Sequence, residues 1–312
     1  MTAAANPGRN RWLGMVCLGA VAFTWGGQWP LVALSLREID PVSLRALMVV
    51  PAGVLLLAVC AIWRQPMRVG GADFGWLVLF GLLNVTAFQL CATFGVQLMN
   101  VGRAIILAYT TPLWIAVIER VWLGQRLTRR RAVALALGGL ALICLLGQDL
   151  SSMRNAPLGA LLTLSGAAIF GIATILMQRH PVPISPIASG GWQLLLGGAP
   201  LLVLGLVLQR TDITGIPAQN WVMLAWMSVI GMGLGYTCWF VAVGTFAPVV
   251  CGIGSLASPV VGVLGGVIVL GDPLGWREAA ALALVCVAVM LVMWPGDDLP
   301  APPEAGSIAP KS

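Results

Sequence analysis

One stretch of the chain occurs twice in a single register, and this duplication constrains the fold more than any other feature. Pro112 lies in an apolar run followed by the loop 123–127, and Pro259 lies in an apolar run followed by the loop 270–274. Both loops have the pattern Leu-Gly-x-x-Leu, and matched residues are 147 positions apart. Farther upstream the offset is 145, as three matched pairs show: Pro41 with Pro186, Gly53 with Gly198, and Trp76 with Trp221. The chain is therefore a tandem duplication.

Most of the surface must face lipid, because the chain has too few charges to cover a surface in water. Hydrophobic residues make up 59% of the chain and charged residues 9%, and the mean hydropathy is +0.94. About a quarter of a soluble domain is charged. The net charge of +6 comes from basic residues at the ends of apolar runs, which indicates a topology signal and no nucleic-acid partner. The expected partners are the lipid bilayer and a small-molecule substrate, and the oligomeric state is left open.

The sequence predicts an all-α integral membrane protein with ten transmembrane helices. A helix needs about 20 apolar residues to cross a bilayer. Prolines lie at or near the breaks between apolar runs, as expected of a residue that starts or ends helices. Residues 1–11 and 295–312 are expected to be tails, the second one disordered. The predicted spans are 12–36, 42–63, 74–98, 103–123, 130–148, 157–178, 186–208, 220–244, 248–270 and 276–294.

The number of spans in each copy determines how the two copies lie in the membrane. The first repeat covers 12–148 and the second 157–294, with five predicted spans each. Because five is odd, the chain enters the second repeat from the opposite side, and the second copy is inverted. Inverted repeats are the architecture of secondary transporters, in which the substrate site lies near the bilayer midplane at the interface between the repeats.

The basic residues of the loops predict the orientation. An even number of spans places both termini on one side of the membrane. Arg45 and Arg120 lie near opposite ends of their spans and are expected to reach the surface by snorkelling. Five arginines fall on the opposite side from the termini: Arg37, Arg103, Arg154, Arg210 and Arg277. The side of the termini collects ten basic residues, which predicts cytoplasmic termini in an inner (plasma) membrane: Arg9, Arg11, Arg64, Arg68, Arg126, Arg129, Arg130, Arg131, Arg179 and Lys311.

Residues that bind metals or perform covalent catalysis are sparse. His180 is the sole histidine, and the seven cysteines all lie in apolar runs without metal-ligand spacing. We therefore expect no metal and no cofactor, and we expect that the protein is not an enzyme.

These motifs resemble the EamA family of ten-span carriers in the drug/metabolite transporter superfamily. The resemblance covers about residues 12–294 and is carried by Trp25-Gly26, 44–46 (Leu-Arg-Ala), 102–104 (Gly-Arg-Ala), 109–114 (Tyr-Thr-Thr-Pro-Leu-Trp) and the doubled loop. Relatives usually carry glutamate in that loop, where this chain has Gln125 and Asp272. The resemblance implies transport of small metabolites, and within the family the pattern is most similar to exporters of amino acids and aromatic amino acids.

The prolines and hydroxyls inside spans are the first candidates for a substrate site. Pro112 and Pro259 interrupt the fourth and ninth spans, and a mid-span proline frees a carbonyl that needs another partner. The kink that such a proline causes either only shapes the helix packing or helps to open a cavity. Thr111 is the repeat partner of Ser258, and Ser255 shares a helix face with Ser258. Such hydroxyls either line a cavity or bond within and between helices.

Amide and aromatic side chains complete the candidate site. Gln89 and Tyr236 are matched at the 147-residue offset, and Trp239 lies one turn beyond Tyr236. A buried glutamine or tyrosine needs a polar partner, so either an interhelical hydrogen bond or a substrate explains it. The predicted substrate-binding residues are Trp25, Gln28, Gln89, Tyr109, Thr111, Tyr236, Trp239, Ser255 and Ser258.

The acidic residues bear on energy coupling. Glu119 lies about 9 Å to the cytoplasmic side of its span's midpoint, with Arg120 as its expected partner, and the other carboxylates fall at span ends or in loops. Proton-driven carriers usually place a carboxylate or histidine in the pathway. We expect facilitated transport or exchange, with Glu119 the one candidate for proton coupling. The alternatives to a carrier are an integral-membrane enzyme for lipid-linked substrates, which the sparse acids disfavour, and a channel.

Overall fold

The computed structural model describes residues 7–98, 107–125, 127–146, 157–208, 212–270 and 275–293, which form helices and short loops without a strand. Several residues used in the sequence analysis lie outside this described part. They are Arg103 with its flanking 102 and 104, Arg126, Arg154, Arg210, Asp272 in the second Leu-Gly-x-x-Leu loop, and both tails at 1–6 and 294–312.

The first repeat begins with a helix that starts before the predicted span. Its third membrane segment is one continuous helical rod in which a π-helical turn separates two α-helices. The elements are α1 (Pro7–Ser35), α2 (Pro41–Ile62), α3 (Gly71–Gly81), the first π segment (Leu82–Ala87), α4 (Phe88–Leu98), α5 (Thr111–Val121) and α6 (Arg129–Leu146).

The second repeat follows the same order and adds one 3₁₀ turn at Ile213–Gly215. Its elements are α7 (Pro157–Arg179), α8 (Pro186–Leu208), α9 (Ala218–Trp226), the second π segment (Met227–Leu234), α10 (Gly235–Val243), α11 (Pro248–Ser255), α12 (Ala257–Leu270) and α13 (Trp276–Met293).

Proline starts helices in this chain, as its position in the sequence predicts. Pro41, Pro157, Pro186 and Pro248 are each the first residue of a helix. Proline fits there because the first turn has no acceptor for its missing N–H and because its fixed φ is already helical. At α2 the carboxylate of Asp40 also caps the helix, accepting hydrogen bonds from the backbone N–H of Val42 at 3.0 Å and Ser43 at 3.2 Å.

The two π segments explain why the repeat offset changes. The first begins at Leu82 and the second at Met227, which is 145 residues later. The α-helices that follow begin at Phe88 and Gly235, which are 147 residues apart. The second segment has eight residues and the first has six, so the two extra residues are accommodated by a longer π-helical stretch. A π turn holds extra residues without breaking the helix.

The contacts between helices have the same pattern in the two repeats. Helix α1 packs against α10 and α12, and α7, its counterpart in the second repeat, packs against α4 and α5. Helix α2 packs against its own counterpart α8, and α6 packs against its counterpart α13. The contacts of α1 with the second repeat are therefore matched by those of α7 with the first, and the α2–α8 and α6–α13 pairs each join two counterparts.

Glycines bring α2 and α8 together in an antiparallel pair. Gly53 lies against the backbone of Leu195, Gly198 lies against Val50, and Gly205 lies against Ser43. Residue numbers thus rise along α2 as they fall along α8. Without a side chain at these positions the helix backbones approach closely, which is how helices associate within membranes.

The loop after α2 and the loop before α8 lie at the same end of the bundle. The hydroxyl of Ser185 donates to the side-chain oxygen of Gln65 at 2.6 Å. The indole N–H of Trp192 donates to the carbonyl of Met67 at 3.1 Å. This end therefore holds polar contacts between the two repeats, close to Arg64 and Arg179.

Six helical segments of the described residues are long and apolar enough to cross a membrane, and they coincide with six predicted spans. They cover Arg11–Ser35, Pro41–Ile62, Gly71–Gly95, Pro157–Arg179, Pro186–Leu208 and Ala218–Val243. Two further apolar helices, Pro248–Gly262 and Ala279–Leu291, are shorter. The protein is thus an all-helical, multi-pass membrane protein, and the count of ten spans stays a prediction.

Candidate functional site

A cavity lies between the two repeats, and side chains from both of them form its wall. Seven of the nine predicted substrate-binding residues line it: Trp25, Gln28, Gln89, Tyr109, Thr111, Tyr236 and Ser255. Trp29, Arg45, Phe88, Phe170 and Met232 line it as well. The cavity has a volume of about 60 Å³ open to water-sized molecules, which is enough space to hold water.

Aromatic rings form one side of the cavity, centred on Trp25. Its ring centroid lies 5.9 Å from that of Phe170, 5.5 Å from Tyr236 and 5.3 Å from Trp239. Phe88 extends the group and lies 5.1 Å from Phe170. These distances are those of tilted and edge-to-face aromatic packing. Trp25 and Phe170 are repeat partners at the 145-residue offset, so the two copies of one position meet at the cavity.

Hydrogen bonds hold the two tyrosines in place. The indole N–H of Trp29 lies 3.5 Å from the hydroxyl oxygen of Tyr109. The Tyr236 hydroxyl donates to the backbone carbonyl of Asn84 at 3.3 Å, which ties α10 to the first π segment. Both hydroxyls are thus oriented by groups from other helices.

The predicted hydroxyl residues bond mainly to the backbone. The Thr111 hydroxyl lies 3.0 Å from the carbonyl oxygen of Ala108 and 3.3 Å from that of Ala167, which is in α7. The Ser255 hydroxyl donates to the carbonyl of Gly252 at 2.7 Å. A hydroxyl that donates in this way still offers its oxygen lone pairs as acceptors.

Two polar atoms beside the cavity have no hydrogen-bond partner among the described residues. They are the indole Nε1 of Trp25 and the amide Oε1 of Gln28, both fully buried. An unpaired buried polar group is costly, and such groups inside a membrane segment indicate function.

Arg45 corrects an expectation from the sequence. The snorkelling prediction is wrong, because the side chain is only 6% exposed and lines the cavity. Its guanidinium carbon lies 5.8 Å from the centroid of the Trp29 ring, in cation–π geometry. The sequence did carry a signal: a charge five residues into an apolar helix marks a functional position by default. Phe170 was also missed, although the 145-residue offset from Trp25 points to it.

Two predicted residues lie behind the cavity wall. Trp239 and Ser258 are both 0% exposed and do not line the cavity. Trp239 packs against Trp25 and Phe170, 5.3 and 5.4 Å away by ring centroids. The backbone carbonyl of Ser258 contacts Gly26 of α1, while its hydroxyl has no partner among the described residues.

Both predicted kink prolines lie in the first turn of a helix. Pro112 is the second residue of α5, and Pro259 is the third residue of α12. Helix α11 ends at Ser255, and α12 begins two residues later at Ala257. Turns interrupt the two spans at Tyr109 and Leu256, which are 147 residues apart. A tight turn thus interrupts each span just before its proline, while the backbone of Thr110 and of Leu256 keeps αR angles. Both interruptions adjoin the cavity.

Glu119 lies away from the cavity, near the end of α5. It is 5% exposed, and the charge that acts on it is Arg131 of α6. The neighbouring Arg120 is exposed. The expected pairing of Glu119 with Arg120 is therefore not seen, and the basic residue that acts on the carboxylate comes from the next helix.

Fold and site together define a class: a multi-pass membrane protein that encloses a small cavity between two repeats. The model of the EamA-like transporter family matches the chain twice, at residues 12–147 and 157–294. The chain belongs to the EamA-like transporter family, and the resemblance drawn from the sequence motifs is confirmed.

Relatives and a solved structure agree with this assignment. The chain is 22% identical over 284 residues to the uncharacterized transporter YoaV of Bacillus subtilis, covering 88% of this chain and 96% of YoaV. It is 23% identical over 284 residues to the uncharacterized inner membrane transporter YedA of Escherichia coli K12, covering 88% and 89%. A crystal structure of a protein 17% identical in sequence matches with a TM-score of 0.76, over 89% of this chain and 95% of the other, which shows the fold alone. These findings support a membrane transporter.

Proposed function

We propose that this protein is a secondary carrier that exports amino acids or related small metabolites by alternating access between two inverted repeats. One observation carries the proposal: repeat-matched elements from both halves enclose a single polar and aromatic cavity. Trp25 faces its own repeat partner Phe170 across 5.9 Å, and Gln89 and its partner Tyr236 both line the same space. A site at the interface of duplicated halves is typical of secondary transporters.

The proposed topology has ten spans in two five-span repeats, 12–148 and 157–294, with the second inverted. The antiparallel pairing of α2 with α8 supports the inversion, as does the meeting of the loops that hold Gln65 and Ser185. The excess of loop arginines on the side of the termini supports cytoplasmic termini. The name of YedA, an inner membrane transporter, supports an inner-membrane location.

Substrate contact is proposed for the predicted residues that line the cavity: Trp25, Gln28, Gln89, Tyr109, Thr111, Tyr236 and Ser255. Trp239 and Ser258 then act from behind, by fixing the positions of Trp25 and of α1. The regular α-helical hydrogen bonding is already interrupted at the turns before Pro112 and Pro259 and in the two π segments. We propose that they permit the movements that widen the cavity and open it alternately to either side.

Counterflow in proteoliposomes tests the proposal. Vesicles containing the full-length protein are preloaded with a mixture of unlabelled amino acids and diluted into a trace of radiolabelled amino acid. A carrier gives transient, saturable accumulation of label that protein-free vesicles lack. Flux that rises linearly with concentration indicates a channel, and chemical turnover of added lipid-linked substrates indicates an enzyme. Either result contradicts the proposal.

A further inference from the structure

Among the described residues, the cavity wall contains one charged side chain, and that charge has no counterion in the same part of the chain. Of the cavity-lining residues that the structure describes, only Arg45 is ionised at neutral pH, and no aspartate or glutamate is among them. Arg45 is 6% exposed. No carboxylate of the described residues lies within ion-pair distance of its guanidinium. A buried cation in a membrane segment is normally paired with an anion or a set of carbonyls.

The surroundings of Arg45 hold its charge in place without neutralising it. The guanidinium lies over the Trp29 ring, and the Trp29 indole is in turn fixed by the Tyr109 hydroxyl. A cation–π contact engages the flat face of a guanidinium. Its N–H donors lie in the plane of the group and match a carboxylate in fork geometry. These donors have no acceptor among the described residues, so an acceptor from a bound molecule would complete the site.

The rest of the cavity indicates what else the bound molecule carries. Trp25, Phe170, Tyr236 and Phe88 provide a broad aromatic surface. Because no acidic side chain of the described ranges lines the cavity, a molecule with a net positive charge would meet Arg45 without a compensating anion. The cavity therefore matches a molecule with an apolar or aromatic body and a carboxylate.

Building on the proposed carrier function, we propose that Arg45 binds the carboxylate of the transported molecule, and that the substrates are aromatic or apolar monocarboxylates. Zwitterionic amino acids with apolar side chains belong to this class, and cationic amines and amides do not. The carboxylate meets the guanidinium edge, and the apolar body packs on the rings around Trp25.

The test compares probes that differ only in their charged groups. The thermal midpoint of the purified full-length protein is measured with L-phenylalanine, 3-phenylpropionate, L-phenylalaninamide and 2-phenylethylamine. The two carboxylates should raise the midpoint, because a ligand that binds only the folded form stabilises it, whereas the amide and the amine should not. Stabilisation by the amine or amide equal to that by the acids overturns the proposal, as does the absence of a shift with every probe. Equal stabilisation by sodium phosphate or chloride alone also overturns it, because the site would then be a general anion site.

Variants of Arg45 add a second, independent readout. Arg45→Gln should raise the half-saturating concentration of L-phenylalanine by about 10- to 100-fold, the effect of losing a charged hydrogen-bonded pair. The midpoint of its ligand-free form should not fall, because an unpaired buried charge has been removed. Arg45→Lys should keep part of the rise in thermal midpoint that L-phenylalanine causes. The matched control is Arg37→Gln, at an exposed arginine, and its midpoint should rise as much as that of wild type. If L-phenylalanine raises the thermal midpoint of Arg45→Gln as much as that of wild type, the assignment of Arg45 is contradicted. If Arg45→Gln does not fold, the comparison of the four probes on the wild-type protein still tests whether the site binds a carboxylate.

Failure of this inference and failure of the carrier proposal give different results. If counterflow of amino acids occurs but does not depend on Arg45 or on a carboxylate, the carrier stands and the substrate class is wrong. If no labelled amino acid shows counterflow, the carrier proposal itself is wrong.

Discussion

Helix α8 and the first π segment pack so closely at Gly197 that replacing this glycine with alanine should destabilise the folded protein. A Cβ atom there would lie 2.6 Å from the Val85 Cβ and 2.8 Å from the carbonyl carbon of Gly81. Carbon atoms in ordinary contact are about 3.5–4.0 Å apart, so the two helices would have to separate by about 1 Å. The carbonyl of Gly197 also accepts a hydrogen bond from the Thr86 hydroxyl at 2.6 Å, which such a separation would stretch.

The net effect follows from two opposing terms. Overpacking a well-packed interface costs about 1–3 kcal/mol. The cost here should lie in the upper half of that range, because the nearest atoms belong to the backbone and to a β-branched side chain, which cannot easily move aside. Alanine gains about 1 kcal/mol of helix propensity over glycine. The free energy of unfolding should thus fall by about 1–2 kcal/mol, which lowers the thermal midpoint by about 2–6 °C.

The assay is thermal unfolding of the detergent-purified protein, followed by tryptophan fluorescence. Gly139→Ala in α6 is the matched control, because a Cβ there meets no atom within 4 Å. It should leave the midpoint unchanged or raise it. Equal midpoints for Gly197→Ala and Gly139→Ala would refute the close approach of the two repeats at this point.

Two further substitutions test the cavity and the energy coupling. Tyr236→Phe keeps the ring against Trp25 but removes the hydroxyl bonded to Asn84, so it should cost about 1 kcal/mol of stability and reduce counterflow. Counterflow and thermal stability equal to wild type would exclude a role for that hydroxyl. Glu119→Gln should leave exchange intact, because Glu119 does not line the cavity, and it should not change flux under a pH gradient. Loss of pH-driven flux with exchange preserved would show that Glu119 couples protons and that the expectation of facilitated transport is wrong.

The sequence alone predicts the elements that depend on local chemistry and on duplication. Pro41 and Pro186 start matched helices because the first turn of a helix has no acceptor for the N–H that proline lacks. The 147-residue offset pairs Gln89 with Tyr236 and so identifies both as candidates for the site. Seven cavity residues follow from the rule that polar and aromatic groups deep in apolar spans need partners.

What the sequence does not predict depends on how helices pack. The change of offset from 145 to 147 arises in the second π segment, and an apolar run has the same composition whether its turns are α or π. On an isolated α2 helix, Arg45 is close enough to the helix end to snorkel, yet the packing of α2 leaves its charge beside Trp29. Pro112 and Pro259 predict an interruption of their spans, but the sequence does not predict that the turns fall at Tyr109 and Leu256.

The inverted arrangement of the two repeats is tested most directly by which side of the membrane each loop occupies. Single cysteines are introduced at Arg64, Arg179, Glu38 and Asp212, all exposed, in a cysteine-free chain, and labelled with a membrane-impermeant maleimide in intact cells and in inverted vesicles. The inverted topology predicts that positions 64 and 179 react only in inverted vesicles, and that positions 38 and 212 react only in intact cells. Labelling of positions 64 and 179 from opposite sides would contradict the inverted repeats and the shared cavity between them.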